Sequence, residues 1–380
     1  MSWKVVISLF KTILPGQTIG IIGGGQLGQM MTLAAKSMGF RVIVLDPTPN
    51  SPCGQVADEQ IVAAYNDLAA VKILAEKSDV ITYEFENIDA NALNWLTKHA
   101  YVPQGTEILR VTQNRIYEKV TIQKARVPVI PNEVILNQTE LEHGLENLGY
   151  PAVLKTATGG YDGKGQLVIK TEHDRISAAS LLSTGPCVLE QWISFTKEIS
   201  VIVTKNPDGE TEVFPVAENI HRNNILHQTI VPARIDKETE EKAMAAAKKI
   251  AEFLHLIGTL AVEMFVTEDG EIYINELAPR PHNSGHYSIE ACMTSQFEQH
   301  IRAICNLPLG STALLKPAVM VNILGEHLEP FLENLHHFKH WKIHLYGKNE
   351  AKPGRKMGHL TRLCNSTDEA LQELEENNIW

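Results

Sequence analysis

Apolar residues in this chain gather into short β-branched runs separated by stretches of helical period, so that read in order they predict alternating strands and helices. Thr18–Gly23 reads as a strand, the residues up to Met38 as a helix, and Arg41–Leu45 as a second strand ending at Asp46. Asn66–Lys77 follows as a helix and Asp79–Tyr83 as a strand that runs into Glu84-Phe85-Glu86-Asn87. A helix is expected over Thr112–Lys124, with Arg115 in its first turn, and Val127-Pro128 to Pro131 reads as a linker. Tyr150–Lys155, Leu167–Ile169, Cys187–Ile193 and Glu198–Thr204 are strands, Ile235–His255 a long amphipathic helix, Gln296–Cys305 a helix and Lys316–Leu324 a late strand. The fold class expected is α/β at the front and α+β behind it.

The most informative pattern surrounds Asp269-Gly270, where two apolar, β-branched runs flank a strong hairpin signal. A two-residue loop pairs Glu268 with Glu271 and carries the register back to Glu263 opposite Glu276. A symmetric four-residue loop keeps that register, whereas a three-residue loop with a bulge shifts it by one. Directly opposed residues have Cβ atoms about 4.5–5.5 Å apart, and like charges there repel unless they share a proton or a cation. With Asn275 adjacent, and Ala261, Phe265 and Ile274 expected half-buried on the same face, the pair reads as a site for a hard divalent ion such as Mg²⁺. Two solvated glutamates on an exposed sheet face are the alternative.

Composition narrows the field. The chain has 380 residues, 44% hydrophobic and 21% charged, enough for two or three ordinary globular domains. Its net charge of −11 argues against nucleic-acid binding, which needs clustered cations. Five scattered cysteines without a Cys-x-x-Cys spacing suggest reduced thiols and a cytoplasmic protein. No apolar run reaches the roughly 18–20 residues of a membrane span, and residues 1–17 read as an extension rather than a signal peptide.

Three further motifs carry candidate chemistry. Gly23, Gly25 and Gly28, with Asp46 downstream, match G-x-G-x-x-G in a βαβ opening, which alone suggests a nicotinamide dinucleotide and an oxidoreductase. The same amides suit the phosphate of a mononucleotide, and tight packing without a ligand also fits. The stretch Thr158-Gly159-Gly160-Tyr161-Asp162-Gly163-Lys164-Gly165-Gln166 lies between two strands just after Lys155 and reads as a mobile lid over polyphosphate, not a Walker loop. The connector after Cys187, including Glu190, Gln191, Trp192 and Ile193, can present backbone groups to a purine edge. Lys348, Arg355 and Lys356 stand beside Gly347 and Gly354 as an anion cradle or as solvated surface charge. Arg115, a cation at a helix start, opposes the dipole and hints at a bound anion, with surface charge as the alternative.

Taken together, Gly23–Gly28, Tyr83–Asn87, Gly159–Gln166, Ile274–His286 and Arg355–His359 resemble the ATP-grasp superfamily, and within it the 5-(carboxyamino)imidazole ribonucleotide synthases of purine biosynthesis. The resemblance runs nearly from Thr18 to the end. It implies an ATP-grasp fold with a Rossmann-like pre-grasp domain over 18–110, a grasp domain over 111–310 and a small mostly-β C-terminal domain over 311–380. It also implies ATP with Mg²⁺ or Mn²⁺, the substrates 5-aminoimidazole ribonucleotide and bicarbonate, a carboxyphosphate intermediate, and a cytoplasmic homodimer.

By the same resemblance, Arg115, Lys155, Gly160, Tyr161, Asp162, Gly163, Lys164, Gly165, Gln166, Glu190, Gln191, Trp192, Ile193, Glu198, His221, Asn275 and Glu276 hold the nucleotide, with Glu263 and Glu276 on the metal. Gln26, Leu27, Glu84, Tyr161, Asp162, Arg280, His282, Asn283, Lys348, Arg355 and Lys356 meet the ribonucleotide, its phosphate lying partly on the first glycine loop. Lys155, Lys164, Arg280 and His282 are the expected catalytic residues. A formate-using glycinamide ribonucleotide transformylase shares the architecture, and Arg280–His286 is the segment that favours the carboxylase.

Overall fold

The computed structural model describes residues 10–160, 164–377 and 379–380. Its first unit runs β1 (Thr18–Ile22), α1 (Gln26–Ser37), β2 (Arg41–Leu45), β3 (Glu59–Ile61), α2 (Leu68–Lys77), β4 (Val80–Tyr83) and α3 (Ala90–His99). The strands form a parallel sheet in the order β3-β2-β1-β4. Continuous apolar runs such as Arg41–Leu45 are what such a sheet demands, because helices cover both faces. Residues 10–17 are not a loose extension. Ile13 is buried in the core of this unit and its N–H donates to Cys305 O at 2.9 Å.

The single helix expected over Thr112–Lys124 is instead two, α4 (Glu107–Thr112) and α5 (Arg115–Lys124). The break has a local cause: the Asn114 side chain accepts the N–H groups of Ile116 (2.9 Å) and Tyr117 (3.4 Å) and so starts a new helix with Arg115 in its first turn. Next come β5 (Asn132–Ile135), α6 (Gln138–Leu148), β6 (Ala152–Thr156), β7 (Gln166–Ile169), α7 (Arg175–Leu182) and β8 (Cys187–Gln191). Their strands make an antiparallel sheet, β5-β8-β6-β7, with Lys155 paired to Gln166 so that the lid begins and ends at one place.

A larger sheet of nine strands completes the molecule. It draws on β9 (Lys197–Lys205), β10 (Thr211–Val213), β11 (Ala217–Arg222) and β12 (Ile225–Val231), then, after α8 (Lys237–Phe253), β13 (Gly258–Val266) and β14 (Ile272–Ala278). Helices α9 (Ser288–Ala291) and α10 (Gln296–Ile304) lead to β15 (Ala318–Leu324), α11 (Gly325–Glu333), β16 (Lys342–Leu345), β17 (Lys356–Leu363) and α12 (Thr367–Glu376). The order β14-β13-β9-β11-β12-β15-β17-β16 shows that the C-terminal strands prolong the central sheet rather than closing one of their own, and two helices accompany them.

The hairpin differs from expectation twice, and the differences cancel. Thr267 N–H donates to Glu271 O (3.0 Å) and Gly270 N–H to Thr267 O (3.2 Å), enclosing a three-residue loop with Gly270 at φ +76° rather than the two-residue turn. That loop pairs Val266 with Ile272 and Met264 with Ile274. A bulge at Asn275 then restores the register, so Glu263 does face Glu276. Ile274 consequently lies with Met264 in the opposite core, and Tyr273 takes the place facing Phe265.

Replacing Ile13 by Ala is expected to lower the unfolding free energy by about 2–4 kcal/mol, as for other buried large-to-small changes. A denaturant midpoint unchanged by the substitution would show that residues 10–17 add nothing to the core.

Candidate active site

The facing glutamates stand in the wall of a cavity of about 590 Å³ that reaches from α1 and β4, past the lid and β8, to β17. Burial, reinforced by the charge of Glu276 opposite, lifts the Glu263 carboxyl to about 7. A cation between the two would relieve that repulsion. Among the described residues no group of three or more His, Cys, Asp or Glu side chains is placed to hold a metal. A hard cation here would find Glu263, Glu276 and the adjacent Asn275 as oxygen ligands and could take the rest of its shell from phosphates, as Mg²⁺ does.

Behind the acids lies a chain of buried charge that begins on α5. Residues 117–120 of this helix are inverted: Tyr117 (49%) and Val120 (39%) are exposed, whereas Glu118 (2%) and Lys119 (1%) are buried. Lys119 Nζ lies 2.9 Å from Glu190 Oε1 and donates to Asn275 O at 2.8 Å, while Lys155 Nζ lies 2.6 Å from Glu190 Oε2 and 3.4 Å from Asn275 Oδ1. Burial disfavours the Glu190 charge, but the two lysines outweigh it and draw the carboxyl down to about 2. Glu118 Oε1 accepts Leu277 N–H at 2.8 Å, and burial pushes this carboxyl up to about 8 against the pull of Lys119. Sequence reading missed both residues. Their signal was charge at Arg115, Glu118 and Lys119, an i, i+3, i+4 stripe that belongs inside rather than out.

An apolar slot occupies one end of the cavity. Ile130, Val153, Trp192, Ile193 and a stacked pair, Phe195 and Phe265 (ring centroids 4.4 Å apart), line it beside the β8 connector. Glu198 and His221 stand nearby, with Oε2 and Nδ1 2.9 Å apart. Burial opposes a charge on His221, yet the Glu198 hydrogen bond and charge win and hold its pKa above the usual histidine value. Arg115 donates to Thr156 O (3.0 Å) and Gly160 O (3.2 Å) and so braces the base of the lid. Thr156 N–H donates to Gly165 O (2.8 Å), and Gly165 has φ +70°, a conformation that favours glycine. Lys164 and Gln166 line the cavity; Tyr161, Asp162 and Gly163 lie outside the described residues.

The first glycine loop is corrected. Gly24 N–H donates to Asp46 (2.7 Å), while Gly25 and Gly28 N–H donate to the two Glu84 oxygens (2.5 and 2.7 Å). Asp46 also accepts Tyr65 O–H at 2.6 Å. The amides and the acid of the dinucleotide pattern are thus satisfied internally. A phosphate could not use Gly25 or Gly28 without displacing Glu84, whose carboxyl burial raises despite those hydrogen bonds. Gln26 and Leu27 still face the cavity.

At the same end, Arg280 Nε lies 2.8 Å from Glu86, and His282 Nε2 lies 3.5 Å from Glu263. Burial, with Arg280 and Lys356 nearby, keeps His282 well below the ordinary histidine pKa and therefore neutral. Asn283 is 7% exposed, lines the cavity, and has neither amide atom paired among the described residues. Of the three predicted C-terminal cations only Lys356 lines the cavity. Lys348 Nζ donates to Lys356 O at 2.6 Å and is drawn down to about 8 by burial and Arg355. Arg355 is exposed and donates to Glu350 O at 3.0 Å, so the cradle is looser than its spacing suggested.

Comparison with known proteins agrees along the whole chain. Family models match for a ribonucleotide synthetase preATP-grasp domain over residues 16–113, an ATP-grasp domain over 120–297, and a phosphoribosylaminoimidazole carboxylase C-terminal domain over 318–373. The N5-carboxyaminoimidazole ribonucleotide synthase of Bacillus subtilis (strain 168) is 57% identical over 370 residues, 97% of each chain. A crystal structure of an N5-carboxyaminoimidazole ribonucleotide synthetase with ADP superimposes with a TM-score of 0.96 at 61% identity, covering 97% of this chain and 98% of that one. The synthase from Aspergillus clavatus, solved with ADP and 5-aminoimidazole ribonucleotide, gives 0.88 at 33% identity, covering 95% and 97%.

Since Glu190 is held ionised in the folded state, its contribution to stability is complete above its unfolded pKa near 4.5 and is lost as pH falls toward about 2. That window corresponds to roughly 3 kcal/mol. Glu190→Gln should therefore lose stability at neutral pH and show a flatter acid limb in urea titrations between those values. Parallel acid limbs in the two proteins would contradict the arrangement.

Proposed function

The chain belongs to the N5-carboxyaminoimidazole ribonucleotide synthases of the ATP-grasp superfamily, and on that premise we propose how its cavity distributes the substrates. The reaction is the ATP-dependent carboxylation of 5-aminoimidazole ribonucleotide, a ligase step of purine biosynthesis. In our reading bicarbonate supplies the carbon. It attacks the γ-phosphoryl group to give carboxyphosphate and ADP, and the exocyclic amine takes up the carboxyl as phosphate leaves.

The adenine occupies the slot between Trp192, Ile193, Phe195 and Phe265, its edge read by backbone of 190–193. Glu198 and His221 stand at the sugar side. Lys155, Lys164 and Arg115 face the phosphates, where positioning and neutralised charge matter more than a protein nucleophile. Glu263, Glu276 and Asn275 would hold Mg²⁺, which when bound neutralises phosphate charge. Lys155 is doubly restrained by Glu190 and Asn275, so its ammonium is already aimed before substrate arrives.

The ribonucleotide lies at the other end, against Gln26, Leu27, Arg280, His282, Asn283 and Lys356. Glu84 acts there by fixing the start of α1 rather than by ceding its amides. Neutral His282 and the Asn283 amide, unpaired among the described residues, are suited to hydrogen-bond an uncharged amine or an incoming carboxyl group. The lid over Gly160–Gln166 excludes water from carboxyphosphate. A cytoplasmic homodimer follows from family likeness, and five buried, unpaired cysteines support a reducing compartment.

The observation that carries this reading is that the purine slot, Lys155, the opposed glutamates and the Arg280–Asn283 segment line one cavity. Phosphate release from ATP should be strongly stimulated only when bicarbonate and 5-aminoimidazole ribonucleotide are both present. An equal response to formate with glycinamide ribonucleotide would reassign the substrate. Glu276→Ala should abolish turnover, with circular dichroism unchanged, and retained activity at saturating Mg²⁺ would remove the metal assignment.

A further inference from the structure

We propose that Glu118 and Lys119 are positioning residues that set the place of Glu276 by gripping the backbone on either side of it. The inference rests on the reading of Glu276 as a magnesium ligand and adds what aims it. β14 is the edge strand of its sheet, and on its outer side the pairing is an isolated parallel bridge between Val129 and Ile274. The bulge at Asn275 adds an unpaired residue to that edge. Three contacts from outside the sheet reach the backbone of this segment: Ile274 N–H donates to Pro128 O (3.0 Å), Asn275 O accepts from Lys119 Nζ (2.8 Å), and Leu277 N–H donates to Glu118 Oε1 (2.8 Å). Two of the three come from consecutive residues of α5, and they bracket Glu276 alone.

Without the bulge, the register set by the hairpin loop would pair Glu263 with Asn275 and turn Glu276 to the other face. The lysine that supports the bulge carbonyl also pairs with Glu190, which pairs with Lys155. The cation aimed at the phosphates and the acid aimed at the metal are thus fixed relative to one another through one buried chain. Burying Glu118 and Lys119 while Tyr117 and Val120 face water is a poor way to stabilise a helix, and apolar residues would fill those sites at less cost. The arrangement makes sense as geometry for the strand it touches.

The test is binding of ADP to the full chain by calorimetry, with and without Mg²⁺, in Lys119→Met, Glu118→Leu and Glu118→Gln. The enhancement of ADP affinity by Mg²⁺ should fall about tenfold or more in Lys119→Met and Glu118→Leu, as when residues behind a metal ligand are removed, while metal-free ADP binding stays within about twofold in Glu118→Leu, which leaves the Lys119–Glu190–Lys155 chain in place. Glu118→Gln should keep the enhancement, because its amide oxygen still accepts Leu277 N–H. Enhancement unchanged in both altered proteins, with only melting temperature lowered, would reduce the pair to structural residues and overturn the proposal. Loss in Glu118→Gln equal to that in Glu118→Leu would overturn it as well. Should Lys119→Met fail to fold, the Glu118 variants decide alone. No enhancement in the unaltered protein would instead remove the magnesium assignment and this inference with it.

Discussion

Because side chains alternate across a β-ribbon, a slip of one residue would carry Glu276 to the face opposite Glu263, and the inserted Asn275 is what prevents it. The opposition of the two acids follows from that insertion. With the acids opposed, one carboxyl is forced toward neutrality in the absence of a cation. The space between them becomes the place where a positive charge is most stabilised. The same residue offers its carbonyl to Lys119 and its side chain to Lys155, so a single bulge ties the anionic and cationic halves of the site together. Strand register, usually a matter of which face is apolar, here decides where charge is put.

The first glycine loop illustrates the opposite economy. Its spacing is that of a dinucleotide site, and the βαβ geometry around it is regular. Yet Glu84 and Asp46 occupy the amides that a pyrophosphate would need. The carboxylate at the start of α1 meets the positive end of the helix just as a ligand phosphate would. A sequence fingerprint therefore identified a helix start with accessible amides but not what fills them. That information sat elsewhere in the chain, at the carboxyl end of β4.

What could be read from the chain beforehand divides along physical lines. Strands such as Arg41–Leu45 and the cavity residues in dense polar motifs were legible, because local composition fixes both. The division of Thr112–Lys124 at Asn114 was visible in principle, since Asn is a strong cap, but it was masked by helical residues on both sides. The three-residue hairpin loop and its compensating bulge were not legible. Two shifts of opposite sense leave the same pair of glutamates facing, and no local signal separates that from a simple turn. Glu118 and Lys119 were passed over because charged residues on a helix are ordinarily outside. The clue lay in the apolar residues on either side, Tyr117 and Val120, which take the exposed positions.

An acidic protein that must gather ATP and a ribonucleotide phosphate, both anions, faces a repulsion that its totals only worsen, at a net −11. The structure resolves it locally. Glu84, Glu86 and Glu190 are each matched with backbone amides, Arg280, or Lys119 and Lys155. Those carboxylates therefore present little free charge to the cavity, while Lys155, Lys164, Arg115 and Lys356 line it. Glu263 and Glu276 face one another across the ribbon, and the charge of Glu276 is among the causes that lift the Glu263 carboxyl. Two opposed acids thus share a cavity with several cations, an arrangement in which a bound positive charge between the acids would relieve their repulsion.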